Sequence, residues 1–201
     1  MPHRFWDAGL WLTRPLCIRY SVVHFGTQLL ALPGDQAPAM QTWRWALGFH
    51  AEGAFEFCGA WHDDGNDTPR RIAADLLNRG LVRVRSISAD EALANSLAGF
   101  RPVACRPTLA ALETCDALGR SSRRAVRWTS KATQAASEHL ASLVKRRGRL
   151  AHAEDAIDLM SLSLQRVQRD LFEEWWNRRR PAPFGRQAAA AAGTLSLSRA
   201  A

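Results

Sequence analysis

The stretch that most constrains the fold is Ile72–Asp90, IAADLLNRGLVRVRSISAD. Ile72, Leu76 and Leu77 fall on one helical stripe. Pro69 stands at the first turn, where a missing N–H costs nothing, and Gly80 stands where a left-handed C-terminal cap is wanted. Leu81, Val82, Val84 and Ile87 then form a short strand-like run that ends on a carboxylate, Asp90. A helix that turns through glycine into a buried strand, with an acid at the strand's carboxyl end, is where open α/β sheets commonly put their chemistry. The competing role for Asp90 is structural: it is also a good N-cap for the next helical segment, DEALANSL.

Three strand-like segments precede this unit. CIRYSVVHFGTQLLAL (Cys17–Leu32) mixes β-branched and aromatic residues, and TWRWALGF (Thr42–Phe49) alternates. AFEFCGAWH, from Ala54, sets Phe55 and Phe57 opposite Glu56 and Cys58. PGDQAP (Pro33–Pro38) and HAEG (His50–Gly53) read as the turns between them. DDGNDT (Asp63–Thr68) is a loop leading into the helix, with Asp67 or Thr68 as its cap, and its three carboxylates suit either a surface turn or a metal site. After Asp90 only Phe100–Cys105 resembles a strand, and Pro102 breaks it. Thr108–Leu118, Thr129–Arg147 (closed by Gly148) and Glu154–Arg178 have helical spacing, the last with Ile157, Met160, Leu164, Val167 and Leu171 on one stripe.

This order predicts an α/β protein. Three antiparallel strands are joined by a helical crossover to a parallel strand, giving a mixed sheet flanked by helices with a helical C-terminal half. The chain divides into an N-terminal extension over 1–16, a core over 17–178, and an alanine-, glycine- and serine-rich tail over 179–201, expected to be flexible or loosely helical.

Charge is concentrated. Arg120, Arg123, Arg124, Arg127, Lys131, Lys145, Arg146, Arg147 and Arg149 face a single acid, Glu138, so this segment alone carries a charge equal to the whole net charge of +8. Such a cluster is an electrostatic footprint for phosphate backbones, or else a solvated helical face. The first residues, MPHRFWDAGLWL, lack the continuous apolar core of a signal peptide, and no run is long enough to span a membrane. The four cysteines (Cys17, Cys58, Cys105, Cys115) have no metal-ligand spacing and read as reduced thiols of a cytoplasmic protein. Among the eight tryptophans, Trp43, Trp45 and Trp61 fall in strands and read as core, while Trp175 and Trp176 close a helix that offers a packing or dimer face.

With these residues in this order, the chain from about Trp45 to Trp176 resembles the catalytic core of the Mutator-type transposases of bacterial insertion sequences. In ALGFHAEGAFEFCGAW, Gly48, Gly53, Glu56, Gly59 and Trp61 stand at that family's steps, and DLLNRG (Asp75–Gly80) is similar to its Leu-Lys-x-Arg-Gly turn. The step from Gly80 to Asp90 matches the family's step from that glycine to its second catalytic aspartate. Trp128, Thr129, Ser130, Lys131 and Ala132 stand where the family has Tyr-Thr-Thr-Asn-Ala, in the segment that carries its catalytic glutamate. The resemblance implies an RNase H-like fold and relatives that cut and rejoin DNA at mobile-element ends with Mg²⁺.

The same comparison implies that most of the catalytic set is missing. Three carboxylates normally hold two metal ions for an in-line displacement. Here only Asp90 is an acid in register: the glutamate position falls on Gln134, and the first aspartate position falls on Gly26. The family's Cys-x-x-His keeps only Cys105, with Thr108 in the histidine's place. The usual helical insertion shrinks to about residues 108–122. Metal-dependent strand transfer is therefore expected to be lost or weak, unless Asp35, Asp63 or Glu138 completes the site. Reverting Gly26→Asp and Gln134→Glu together should create metal binding if the three positions converge. The expected function is DNA binding and transposition by an impaired transposase-family protein, with self-association open; the alternative is a non-catalytic DNA-binding or protein-interaction module.

Overall fold

The computed structural model describes residues 8–32, 39–50, 54–147, 150 and 154–179. A short helix α1 (Ala8–Thr13) leads into strands β1 (Arg19–Leu32), β2 (Ala39–Phe49) and β3 (Phe55–His62), which pair antiparallel as a meander. Alternation decides which face each side chain takes. Trp43, Trp45, Leu47 and Phe49 of β2 all enter one core, joined by Phe55 and Phe57 of β3, while Ala46 and Cys58 enter the other. The turn segments read at 33–38 and 51–53 lie outside the described residues, as does the tail from 180.

Helix α2 (Thr68–Asn78) then crosses back. It begins with proline in its first turn and buries Ile72 and Leu76. Leu77, grouped with them by spacing, is 61% exposed, since it lies a further 100° around the helix. The helix closes as expected at Gly80, whose φ of +95° is open to glycine at little cost. The N–H of Gly80 donates to the Leu77 carbonyl and that of Leu81 to the Leu76 carbonyl, both at 3.0 Å, which is the paired bonding of a glycine-terminated helix. Strand β4 (Arg83–Ser88) follows and lies parallel to β1, and β5 (Ala104–Arg106) lies parallel to β4. The result is a five-stranded mixed sheet in the order β3-β2-β1-β4-β5.

The remaining helices are α3 (Glu91–Ser96), α4 (Leu109–Glu113), α5 (Arg120–Arg147) and α6 (Glu154–Arg179). The sequence reading started the long helix at Thr129; it starts at Arg120. Ser122, Ala125 and Val126 continue the buried stripe of Thr129, Ala132, Ala136 and Leu140 backwards, and the charges between them had hidden it. Those side chains are mostly small, which lets α5 lie close against the sheet.

Two apolar layers sandwich the sheet. One joins the sheet to α1, α4, α5 and α6, and the other joins it to α2 and α3. Trp11 and Leu16, within the segment read as an extension, are buried in the first and second layers respectively. All four cysteines are free thiols. Among the described residues no helix is long and apolar enough to cross a membrane.

Candidate functional site

The carboxyl end of the parallel pair is the place to look, because β1 and β4 run side by side there. Val22 pairs with Ser86 and His24 with Ser88. Continuing that register sets Gly26 level with Asp90, one strand over. The two positions singled out as the first and second acids thus each lie two residues past the last paired residues, His24 and Ser88, with Asp90 already capping α3.

Neither is disposed to hold a cation. Gly26 pairs with Trp45 of β2, and the space a side chain at 26 would take is filled by the Trp45 indole: a β-carbon there would meet Cζ2 at 2.3 Å. Trp45 is 1% exposed and meets His24 edge-on at 5.9 Å between ring centroids. His24 Nδ1 lies 3.0 Å from Ser88 Oγ, and burial of the ring pushes its pKa down to about 4. What lines this part of the sheet is therefore a neutral imidazole, a hydroxyl and an indole.

Asp90 keeps its charge but spends it locally. Oδ1 accepts the Leu93 N–H at 3.0 Å, capping α3, as the structural alternative anticipated. Oδ2 accepts a short hydrogen bond from the Arg44 guanidinium. Arg44 Nε also donates to Asp63 Oδ2 at 2.7 Å. Burial pushes the Asp90 pKa up, but the hydrogen bond from Arg44 and the Leu93 N–H outweigh it and hold the carboxyl below its ordinary range. Arg44 is raised in turn: burial acts against it, and Asp90 and Asp63 more than offset that. The guanidinium sits between two carboxylates, Asp63 and Asp90.

Gln134 is not brought to this end of the sheet. It is exposed on the side of α5 away from the buried stripe, and its amide donates to Glu138 Oε1 at 3.0 Å. Of the acids considered as rescuers, Asp63 reaches Asp90 only through Arg44. Glu138 shares the solvent face of Gln134, and Asp35 lies outside the described residues. The donor set does not fit a divalent cation, which favours several convergent carboxylate or carbonyl oxygens. No group of three His, Cys, Asp or Glu able to hold a metal occurs among the described residues.

The matched motif blocks serve another purpose: they meet in space and pin α2 to β3. Arg79 donates through Nη1 to the Cys58 carbonyl at 2.6 Å and to Asp75 Oδ2 at 3.2 Å, and through Nε to the Arg14 carbonyl at 2.9 Å. Trp61 Nε1 donates to the same Asp75 oxygen at 3.1 Å. Glu56 accepts from Tyr20 and is paired with Arg14 and His50, each at 3.3 Å. Burial raises the Glu56 pKa, but hydrogen bonds from His50 and Tyr20 and the Arg14 charge bring it below the usual range. Cys58 beneath is pushed up to about 12 by burial, so it is an inert core thiol.

The basic segment is a true surface. Arg120, Arg124, Arg127, Lys131, Lys145, Arg146 and Arg147 are exposed along α5, Arg123 is half-buried, and Arg149 lies outside the described residues. Arg120, Arg123, Arg124, Arg127, Trp128 and Lys131 line one groove. Arg127 meets Glu113 at 3.1 Å and Arg123 meets Asp116 at 3.7 Å. Arg120 and Arg124 have no acidic partner among the described residues. Lys131 Nζ lies 5.6 Å above the Trp128 ring.

Arg44, Trp45, His24 and Ser88 were not singled out from the sequence as site residues. A signal for Arg44 was present, because it is the one charge within the otherwise apolar alternation TWRWALGF. No protein-family model matches the chain, and no curated protein matches it.

Proposed function

We propose that this chain is an RNase H-like core related to the Mutator-type transposases, which binds DNA through α5 and has lost, or nearly lost, metal-dependent strand transfer. The observation that carries this reading is the filling of both acid positions' surroundings: the Trp45 indole covers Gly26 and the Arg44 guanidinium holds Asp90, each two residues past the paired His24 and Ser88 of the parallel β1–β4 pair. The strand order, with an antiparallel meander, a helical crossover and a parallel fourth strand, is compatible with an RNase H-like layout. Gly26 and Asp90, which stand at the first and second acid positions in the family comparison, each follow the last paired residues of β1 and β4 by two, and only Asp90 is an acid.

DNA is the partner that suits the basic ridge. Exposed guanidinium groups concentrated on one helix neutralise phosphates and release counterions, independently of base sequence. Trp128 already carries a cation over its face, so it adds little stacking. Self-association is not required by this reading. The test is duplex binding by anisotropy over a salt series, together with an Mg²⁺- or Mn²⁺-dependent cleavage assay on insertion-sequence ends. Binding that weakens steeply with salt, without cleavage, supports the proposal. Robust cleavage abolished by Asp90→Ala, or binding insensitive to salt, overturns it.

A further inference from the structure

The basic residues of α5 do not make one uniform surface. Along the first half of the helix Arg120, Arg123, Arg124, Arg127 and Lys131 line a groove with the Trp128 ring, and no aliphatic residue is among its described lining. At the other end, Arg146 and Arg147 join Arg166 of α6 to rim a groove of about 470 Å³ floored by Leu143, Leu159 and Leu162. Leu162 is 47% exposed although a helix pair surrounds it. A leucine floor gains nothing against a hydrated phosphate backbone, whereas apolar area removed from water stabilises a protein contact.

The rim carries unspent charge. Among the described residues Arg147 and Arg166 have no acidic partner and Arg146 donates only to the Ser142 carbonyl, at 3.4 Å. Residues 180–201 of the chain itself contain three arginines and no acid, so like charge opposes their docking there. We propose that the α5–α6 groove docks an amphipathic helix of a partner protein, one that lays aliphatic side chains at i, i+3, i+4 and i+7 on the leucine floor and sets Asp or Glu against the arginine rim. Charge complementarity selects the partner's sign, and the exposed leucines supply the affinity.

The probe is a fluorescein-labelled amphipathic helical peptide with leucines at those steps and glutamates on both flanks, read by anisotropy. Its counterpart carries lysines in place of the glutamates, and labelled duplex DNA is titrated separately. The glutamate peptide binds saturably and at least about tenfold tighter than the lysine peptide, a difference of about 1.4 kcal/mol. Leu162→Asp and Arg166→Glu, both surface changes whose folding is checked by circular dichroism, each weaken it by about tenfold or more. Duplex affinity changes less than twofold with Leu162→Asp. Absence of saturable binding, equal binding of the two peptides, or indifference to both variants overturns the proposal. So does a parallel loss of duplex binding with Leu162→Asp, which makes the groove part of the nucleic-acid face, or a dimer in sedimentation that Leu162→Asp dissociates, which makes a second copy the occupant. Failure of the DNA titration alone, with peptide binding intact, sinks the DNA reading and leaves this one standing.

Discussion

Gly26 lies under the indole of Trp45, so that a β-carbon at position 26 would stand 2.3 Å from Cζ2 and 2.5 Å from Cε2. Restoring an acid there is therefore not a simple reversion. Gly26→Asp is expected to destabilise by about 1–3 kcal/mol through overpacking, and by more if its carboxylate is trapped against the ring. In a Trp45→Leu background, where space is freed, the added penalty shrinks. Urea melts of the two single variants and the double variant measure this, and an unchanged midpoint for Gly26→Asp contradicts it. Gly26→Asp with Gln134→Glu, expected from the sequence alone to create metal binding, should fail, because position 134 faces solvent on α5.

The Arg44–Asp90 contact makes a second prediction. Asp90→Ala removes both the cap of α3 and one of the two carboxylates that hold Arg44, and should cost about 1–2 kcal/mol for the cap alone. Asp90→Asn keeps an acceptor for the Leu93 N–H and should cost less. A double-mutant cycle with Arg44→Ala should give a nonzero coupling energy, since the two residues touch. Additivity within experimental error counts against the contact.

His24 makes stability depend on pH. Its ring has a pKa of about 4 in the folded chain against 6.5 for an unperturbed histidine. The unfolded chain therefore takes up the proton first as pH falls, and binds more protons than the folded chain throughout that window. Stability from this residue is full above pH 6.5, declines as pH falls toward about 4, and levels off below, for a total of roughly 3 kcal/mol. His24→Gln should flatten the slope between those limits in a series of denaturant melts. A slope unchanged by the substitution contradicts the assignment.

Much of the frame was legible in the residues. Pro69 and Gly80 marked the ends of α2, and the run after Gly80 became the parallel strand on which the topology turns. Alternation placed Phe55 and Phe57 opposite Cys58. The start of α5 was not legible, because its buried face is built from serine, threonine and alanine rather than large apolar residues. At the site, the parallel register pairs His24 with Ser88, a relation that spacing along the chain does not contain. The contacts of Arg44 and Trp45 join three strands or their ends, and such long-range pairings leave no local periodicity. Gln134 shows the converse: family spacing marked it, whereas helical phase turns it toward solvent.

The ridge on α5 sets the DNA prediction. If Arg120, Arg124, Arg127 and Lys131 each neutralise one phosphate, log K falls with log salt at a slope of about −3.6, or about −0.9 per contact. Arg124→Ala should reduce the slope by roughly that unit and weaken all duplex sequences alike. A substitution that changes sequence preference while leaving the salt slope intact places the contact on bases instead.

The charge of Asp90 is committed to Arg44 and to the end of α3, so the described residues at the carboxyl end of the sheet form no cation site. Titration of Mn²⁺ followed by electron paramagnetic resonance, on the unaltered chain and on Asp90→Asn, tests this most directly. Both forms should show the same weak, non-stoichiometric uptake. One or two tightly held Mn²⁺ ions in the unaltered chain, lost in Asp90→Asn, contradict it.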